Sequence, residues 1–252
     1  MTLRGPRPWQ PLATGAVVEG AGLAVAGAAG LLMPLPVAGA ALGYLGGSAV
    51  ILTHWRRRRF GAANLITLGR VVGTCWVIGL TLEAVLGRLS DVGLLAMVVI
   101  GTCCLVLDGV DGKVARARAE CSPFGARFDM ETDAALLLAL SVAVPVLGIA
   151  GWWVLAIGGM RYAYVAAAWI GPQRIRRALR IRLPYRYSGK VVAVIQGVTL
   201  LVVLALELSG LTIAVPALPE VLLAIALATL CWSFGRDIGW QLRAAASLPT
   251  PG

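Results

Sequence analysis

The sequence predicts an all-α, polytopic membrane protein: a core of six transmembrane helices preceded by an N-terminal two-helix hairpin. Three observations carry this prediction. Hydrophobic residues make up 59% of the 252-residue chain and charged residues only 13%, too few for an ordinary water-soluble globule. The apolar residues gather in charge-poor stretches of about 20 residues, the length that crosses a hydrocarbon layer roughly 30 Å thick. The connections between them alternate in basicity, as the positive-inside tendency requires of loops on opposite sides of a bilayer.

In chain order, the first two spans fall near 12–32 and 35–54. An apolar stretch from about Pro11 to Met33 is followed at once by another, so the start reads as a hairpin turning at Met33-Pro34-Leu35-Pro36 rather than as a cleavable signal. The hairpin is rich in Gly and Ala, with Glu19 its one acidic residue, and its role is open. Arg56 to Arg59, after Trp55, read as an interfacial anchor facing anionic lipid head groups. Residues 1–60 thus form the hairpin and its basic juxtamembrane segment.

Residues 61–245 are expected to form the six-helix transmembrane core domain, with spans near 63–87, 92–116, 126–147, 151–171, 188–208 and 216–236, and residues 246–252 a tail. Arg4, Arg7, Arg56 to Arg59, the Lys113 to Arg127 region, the segment from Arg174 to Lys190, and Arg236 with Arg243 place 19 of the 22 Lys and Arg on one side, and Arg88 alone on the other. That asymmetry predicts a multi-pass protein of the cell (inner) membrane with both termini in the cytoplasm. Arg174, Arg176, Arg177, Arg180, Arg182 and Arg186 read as a surface helix or loop.

Several function classes are excluded at this stage. The net charge of +10 marks membrane loops rather than a nucleic-acid surface. The five cysteines show no CxxC spacing, so neither disulfides nor zinc is inferred. His54 is the one histidine, which leaves no His-based triad and no multi-histidine metal site. The chemistry must come from carboxylates, lysine, arginine and hydroxyls.

Half of the twelve acidic residues lie between Asp108 and Asp133. Asp108 and Asp111 are three apart, Asp129 and Asp133 four apart, and either spacing puts both carboxylates on one helix face. The two helices are joined by a short polar link, so they should be antiparallel neighbours on which four carboxylates converge. A charge at the membrane centre costs roughly 2.5 to 3.5 kcal/mol even on a lenient scale, so something positive must offset them. Lys113, Arg116 and Arg118 offer part of that compensation. Convergent oxygens are also the ligands of hard divalent cations such as Mg²⁺ or Mn²⁺, and two such ions suit a phosphoryl or diphosphate substrate. Gly109, Gly112, Ala115 and Gly125 leave room for phosphates, although small residues equally serve helix packing in lipid.

The run Asp108-Gly109-Val110-Asp111-Gly112-Lys113-Val114-Ala115-Arg116, then eight residues to Gly125, three to Asp129 and three to Asp133, resembles the signature D-x2-D-G-x2-A-R-x8-G-x3-D-x3-D of the CDP-alcohol phosphatidyltransferase family. Upstream, Asn64-Leu65-Ile66-Thr67-Leu68-Gly69-Arg70 looks like the N-x-x-T-x-x-R element that opens the family's first core helix. The resemblance implies a cytoplasm-facing site in which Asp108, Asp111, Asp129 and Asp133 hold two divalent ions, Mg²⁺ or Mn²⁺, on the diphosphate of CDP-diacylglycerol. It implies Asp133 as general base as well as ligand. Gly112, Ala115, Arg116 and Gly125 would lie against the nucleotide, with Asn64 and Thr67 closing over it. An acceptor hydroxyl would attack the lipid-side phosphorus and expel CMP, a step of phospholipid biosynthesis, and a homodimer is compatible with the family.

The acceptor is less legible. Arg161 sits within an apolar span, and Lys190, with Gln196 six residues later, is similar to the G-K-x5-Q stretch of phosphatidylglycerophosphate synthases. Together they are candidates for binding a phosphate on the acceptor, such as glycerol 3-phosphate or inositol phosphate. The alternative is that Arg161 pairs locally and Lys190 snorkels to the interface. Phosphatidylglycerophosphate synthases commonly carry D-P-x-x-D-K, whereas Asp129-Met130-Glu131-Thr132-Asp133-Ala134 lacks the proline and lysine. Two rival readings are a polyprenyl-diphosphate transferase and a non-enzymatic transporter or channel. The D-G-x2-A-R continuation speaks against the first, and the one-sided clustering of the acids against the second.

Overall fold

A computed structural model of the protein describes residues 37–39, 41, 62–117, 123–181, 183 and 187–247, with side chains at all of these except 62–67, 110–117, 123–128 and 187. Among them every regular element is a helix, as expected of a chain whose backbone must satisfy its own hydrogen bonds within hydrocarbon. In order they are α1 (Ala62–Val85), α2 (Asp91–Ala117), α3 (Pro123–Val146), a 3-10 turn (Trp152–Val154) leading into α4 (Leu155–Ile170), α5 (Gln173–Leu179), α6 (Tyr187–Leu208), α7 (Leu211–Ala214) and α8 (Ala217–Ala246). Helices α1, α2, α4, α6 and α8 are long and apolar enough to cross a membrane. Helix α3 fills the predicted 126–147 span, but Asp129, Glu131 and Asp133 load its first half with charge. The protein is a polytopic, all-helical membrane protein.

The chain divides into two compact units, Met1–Ala139 and Leu140–Gly252. In the first, α1 buries Leu68, Val72, Trp76, Val77 and Leu80, while α2 turns Val92, Leu95, Val99 and Val106 outward at helical spacing, a face suited to lipid tails. Helix α1 stops at Gly87, whose φ of 67° few other residues adopt cheaply. There the Gly87 and Arg88 N–H groups each donate, at 2.9 Å, to the Ala84 and Glu83 carbonyls. Ser90 then caps α2 by accepting the Gly93 N–H at 3.2 Å, and Asp91 complements the helix dipole. So short a turn makes α1 and α2 antiparallel neighbours, with Arg70 and Asp108 at nearly the same distance from it.

The two helices come very close at Gly73, where a Cβ would stand 2.6 Å from Cys104 Sγ and 3.4 Å from Ile100 Cγ2. Small residues at such crossings let backbones approach where no hydrophobic effect drives association. Helix α3 is tied to α1 through the Thr81 hydroxyl, 2.9 Å from the Val77 carbonyl and 3.4 Å from that of Ala139. Residues 37–39 and 41 are helical within the second predicted span, and Val37 packs on Val72 and Trp76. The rest of the predicted hairpin, His54 and the Arg56 to Arg59 anchor lie outside the described residues.

In the second unit, α8 packs against α4, α5, α6 and α7. Gln196 of α6 is buried and donates to the Ala226 carbonyl of α8 at 2.9 Å. Gln241, also buried, donates to Tyr164 Oη at 2.9 Å, the Leu179 carbonyl at 3.4 Å and the Ile181 carbonyl at 2.8 Å. Tyr164 meets Phe234 edge-on at 6.0 Å between ring centroids. These contacts pin the end of α5, the short helix that carries Arg174, Arg176 and Arg177 of the basic segment; Arg174 and Arg177, and Arg180 just beyond, are exposed. Helix α8 continues beyond the predicted end at 236 because Arg236, Asp237 and Arg243 are accommodated in helical turns outside the apolar stretch. Arg236 donates to Ser188 Oγ at 3.1 Å, pairs with Asp237 and stacks over Trp232 at 4.9 Å.

Candidate metal site

Three helices of the first unit bring four charged side chains to one place. Asp108 lies near the end of the apolar part of α2, and Asp129 and Asp133 share one face of α3, as their four-residue spacing requires. Opposite them, Arg70 of α1 is 1% exposed. Its Nη1 lies 3.1 Å from Asp108 Oδ1 and also pairs with Asp129 Oδ1, while Nη2 pairs with Asp133 Oδ1. The predicted convergence of carboxylates from two adjoining helices is therefore present for three of the four aspartates. One ligand oxygen from each of Asp108, Asp129 and Asp133 lies within 4.8 Å of the others.

Burial and charge say what such a cluster can do. The carboxylates are 30%, 35% and 39% exposed, open enough to be reached from water, whereas the guanidinium is enclosed. A buried guanidinium is tolerable only when paired, and three carboxylates more than neutralise it. The four groups carry a formal charge of −2 in total, and all the anionic atoms are hard oxygens. That donor set fits a divalent cation of the Mg²⁺ or Mn²⁺ type. Beside it, a Cβ on Gly109 would meet nothing within 4 Å among the described residues. Glu131, two residues from either aspartate of α3, is exposed, as its position on a different face predicts.

The remaining predicted site residues divide into two groups. The side chains of Asn64, Thr67, Asp111, Gly112, Ala115, Arg116 and Gly125 lie outside the described residues, although the backbone at all seven is helical, in α1, α2 and α3. Those of Lys113 and Arg118, expected to offset the acidic charge, lie outside them too. Arg161 and Lys190 belong to the second unit: Arg161 is partly buried on α4, and Lys190 is exposed in the first turn of α6. Gln196, read in sequence together with Lys190, engages α8 through its side-chain amide.

Arg70 was not among the predicted site residues. Its signal was present in the sequence twice, as the last residue of the N-x-x-T-x-x-R element and as a lone arginine inside an apolar span, the reasoning that singled out Arg161. What the sequence could not give was its partners, 59 and 63 residues away along the chain.

A family model described as CDP-alcohol phosphatidyltransferase matches residues 60–232, well over half of the chain. No curated protein and no solved structure matches it.

Proposed function

Since the chain belongs to the CDP-alcohol phosphatidyltransferase family, we propose that it moves a phosphatidyl group from CDP-diacylglycerol onto the hydroxyl of a small phosphorylated polyol, releasing CMP. The family comprises phosphotransferases for substituted phosphate groups, acting in membranes in phospholipid biosynthesis. The single observation that carries the site assignment is the approach of Asp108, Asp129 and Asp133 to within 4.8 Å across two helices, at signature positions.

In this reading Asp108, Asp111, Asp129 and Asp133 would hold two divalent ions, Mg²⁺ or Mn²⁺. When bound, these would supply positive charge against the diphosphate and the departing phosphate. Asp133 takes the proton of the acceptor hydroxyl. The hydroxyl oxygen bonds to the lipid-side phosphorus, and the bond from that phosphorus to the CMP oxygen breaks with its electron pair leaving on CMP. Asn64, Thr67, Gly112, Ala115, Arg116 and Gly125 line the nucleotide. Arg161 and Lys190 are assigned to a phosphate on the acceptor, glycerol 3-phosphate or inositol phosphate. The excess of Lys and Arg in the loops on one side supports a site on the cytoplasmic side of the cell membrane.

The test uses purified protein, Mg²⁺ or Mn²⁺, labelled CDP-diacylglycerol and a panel of acceptors: glycerol 3-phosphate, inositol phosphate, inositol and serine. CMP release should require both a divalent ion and an acceptor, and should be fastest with a phosphorylated polyol. Release with inositol or serine alone would overturn the acceptor assignment. Consumption of a prenyl diphosphate in place of CDP-diacylglycerol would overturn the transfer itself.

A further inference from the structure

We propose that Arg70 is a built-in counter-cation of the carboxylate site, a positioning residue that holds Asp108, Asp129 and Asp133 together and competes with divalent cations for their oxygens. This deepens the transferase reading and rests on it for the ligand set.

The geometry points there in three steps. Arg70 is 1% exposed on α1, whereas the three carboxylates it engages come from α2 and α3, so one guanidinium joins three helices. Arginine suits this role because its planar fork presents several donors in fixed directions, which a lysine ammonium cannot do. Second, Arg70 engages Oδ1 of each carboxylate, and one oxygen from each of the same three residues lies within the 4.8 Å that an ion would draw together. An oxygen turned to the guanidinium gives up part of its basicity toward any ion that approaches. Third, the formal charge is −2 with Arg70 and −3 without it. Removing the guanidinium strengthens the field that attracts a divalent cation while leaving the carboxylates to repel one another.

The two consequences have opposite signs, which separates this role from a merely structural one. A residue that only shaped the site would, on removal, loosen the ligands and weaken metal binding together with the fold. A competing counter-cation would, on removal, destabilise the metal-free protein and tighten metal binding. By linkage, bound metal should then restore more stability to the variant than to the wild type.

The experiment compares full-length wild type, Arg70→Gln, Arg70→Lys and Asp129→Ala in lipid nanodiscs, titrating Mn²⁺ by electron paramagnetic resonance and following thermal melting with and without Mn²⁺. R70Q should bind Mn²⁺ about tenfold tighter or more, a change of the size typical of coupling between two interacting groups. It should melt below wild type without Mn²⁺ and gain more from Mn²⁺. Recovery of R70Q only when it is purified in Mn²⁺ would also support the proposal. Should R70Q fail to fold in either condition, R70K decides: Mn²⁺ affinity above wild type supports the proposal, and equal or lower affinity overturns it. Mn²⁺ affinity in R70Q equal to or below wild type, with binding lost in D129A, overturns the inference and leaves the metal site standing. Equal Mn²⁺ binding by wild type and D129A overturns the metal-site reading, and the inference with it.

Discussion

Replacing Gly73 with alanine adds one methyl group at the crossing of α1 and α2, and the structure says how much room it lacks. The new Cβ would lie 2.6 Å from Cys104 Sγ, about 0.8 Å short of the 3.4 Å at which ordinary contact begins. Cys104 cannot yield without loss, because its thiol is buried and lies 3.7 Å from the Arg70 carbonyl. The helices must therefore part, at about 1–3 kcal/mol for overpacking of this kind. That predicts a melting temperature lower by about 2–12 °C for a chain of this size. The displacement falls one turn from Arg70, which stands 3.1 Å from Asp108 Oδ1, so the carboxylates of α2 and α3 lose their register. Misplacement of reacting groups by about 1 Å can cost on the order of a hundredfold in rate. The assay is thermal melting in detergent beside CMP release from CDP-diacylglycerol, for G73A and for the double variant G73A/C104A. Trimming Cys104 opens the space, so the double variant should recover most of both losses. A G73A protein with wild-type melting and turnover, or a double variant no better than the single, would refute the claim that this crossing sets the geometry of the site.

Three further outcomes follow from other parts of the structure. Asp133→Asn should weaken Mn²⁺ binding, as loss of a ligand charge requires, and at saturating Mn²⁺ should still lose about 10²- to 10⁴-fold in turnover, the usual contribution of a general base; near-normal turnover would remove Asp133 from that role. Asp108→Ala and Asp129→Ala should each abolish divalent-dependent CMP release, and chelation by EDTA should do the same to wild type, reversibly on adding Mg²⁺ or Mn²⁺. Gln241→Leu strips the buried donor from the Leu179 and Ile181 carbonyls at 3.4 and 2.8 Å, at a cost of about 1–3 kcal/mol. Amide exchange should rise across 173–181, measured by mass spectrometry, while α6 stays protected; unchanged exchange there would show that the clamp is not what holds α5.

The parts of this architecture legible in the sequence are those fixed by local periodicity and by the bilayer. Long apolar stretches bounded by charge gave the core helices to within a few residues, because a chain in hydrocarbon has little choice but to close its own hydrogen bonds. The exception is the C-terminal end of α8, which runs ten residues past the predicted 236 to Ala246. The spacing of Asp129 and Asp133 predicted a shared face, and the structure turns both toward Asp108. Elements that depend on tertiary contact were not legible. The seven residues of α5 are dominated by arginine and glutamine, with too few apolar positions to show a period, and their end is fixed by Gln241 from α8. Helix α7, four residues between Gly210 and Val215, is shorter than any periodicity can register. Compensation for the acidic cluster was sought in the nearby Lys113, Arg116 and Arg118. Among the described residues it comes from Arg70, in an apolar helix far along the chain, since only the folded arrangement of α1, α2 and α3 makes them neighbours.

The most direct measurement is anomalous X-ray scattering at the manganese edge from crystals grown with Mn²⁺. The account predicts manganese density between the carboxylates of Asp108 and Asp129 and Asp133, bonded to oxygens from both α2 and α3. Manganese found elsewhere, with the three carboxylates bound to Arg70 alone, would contradict it.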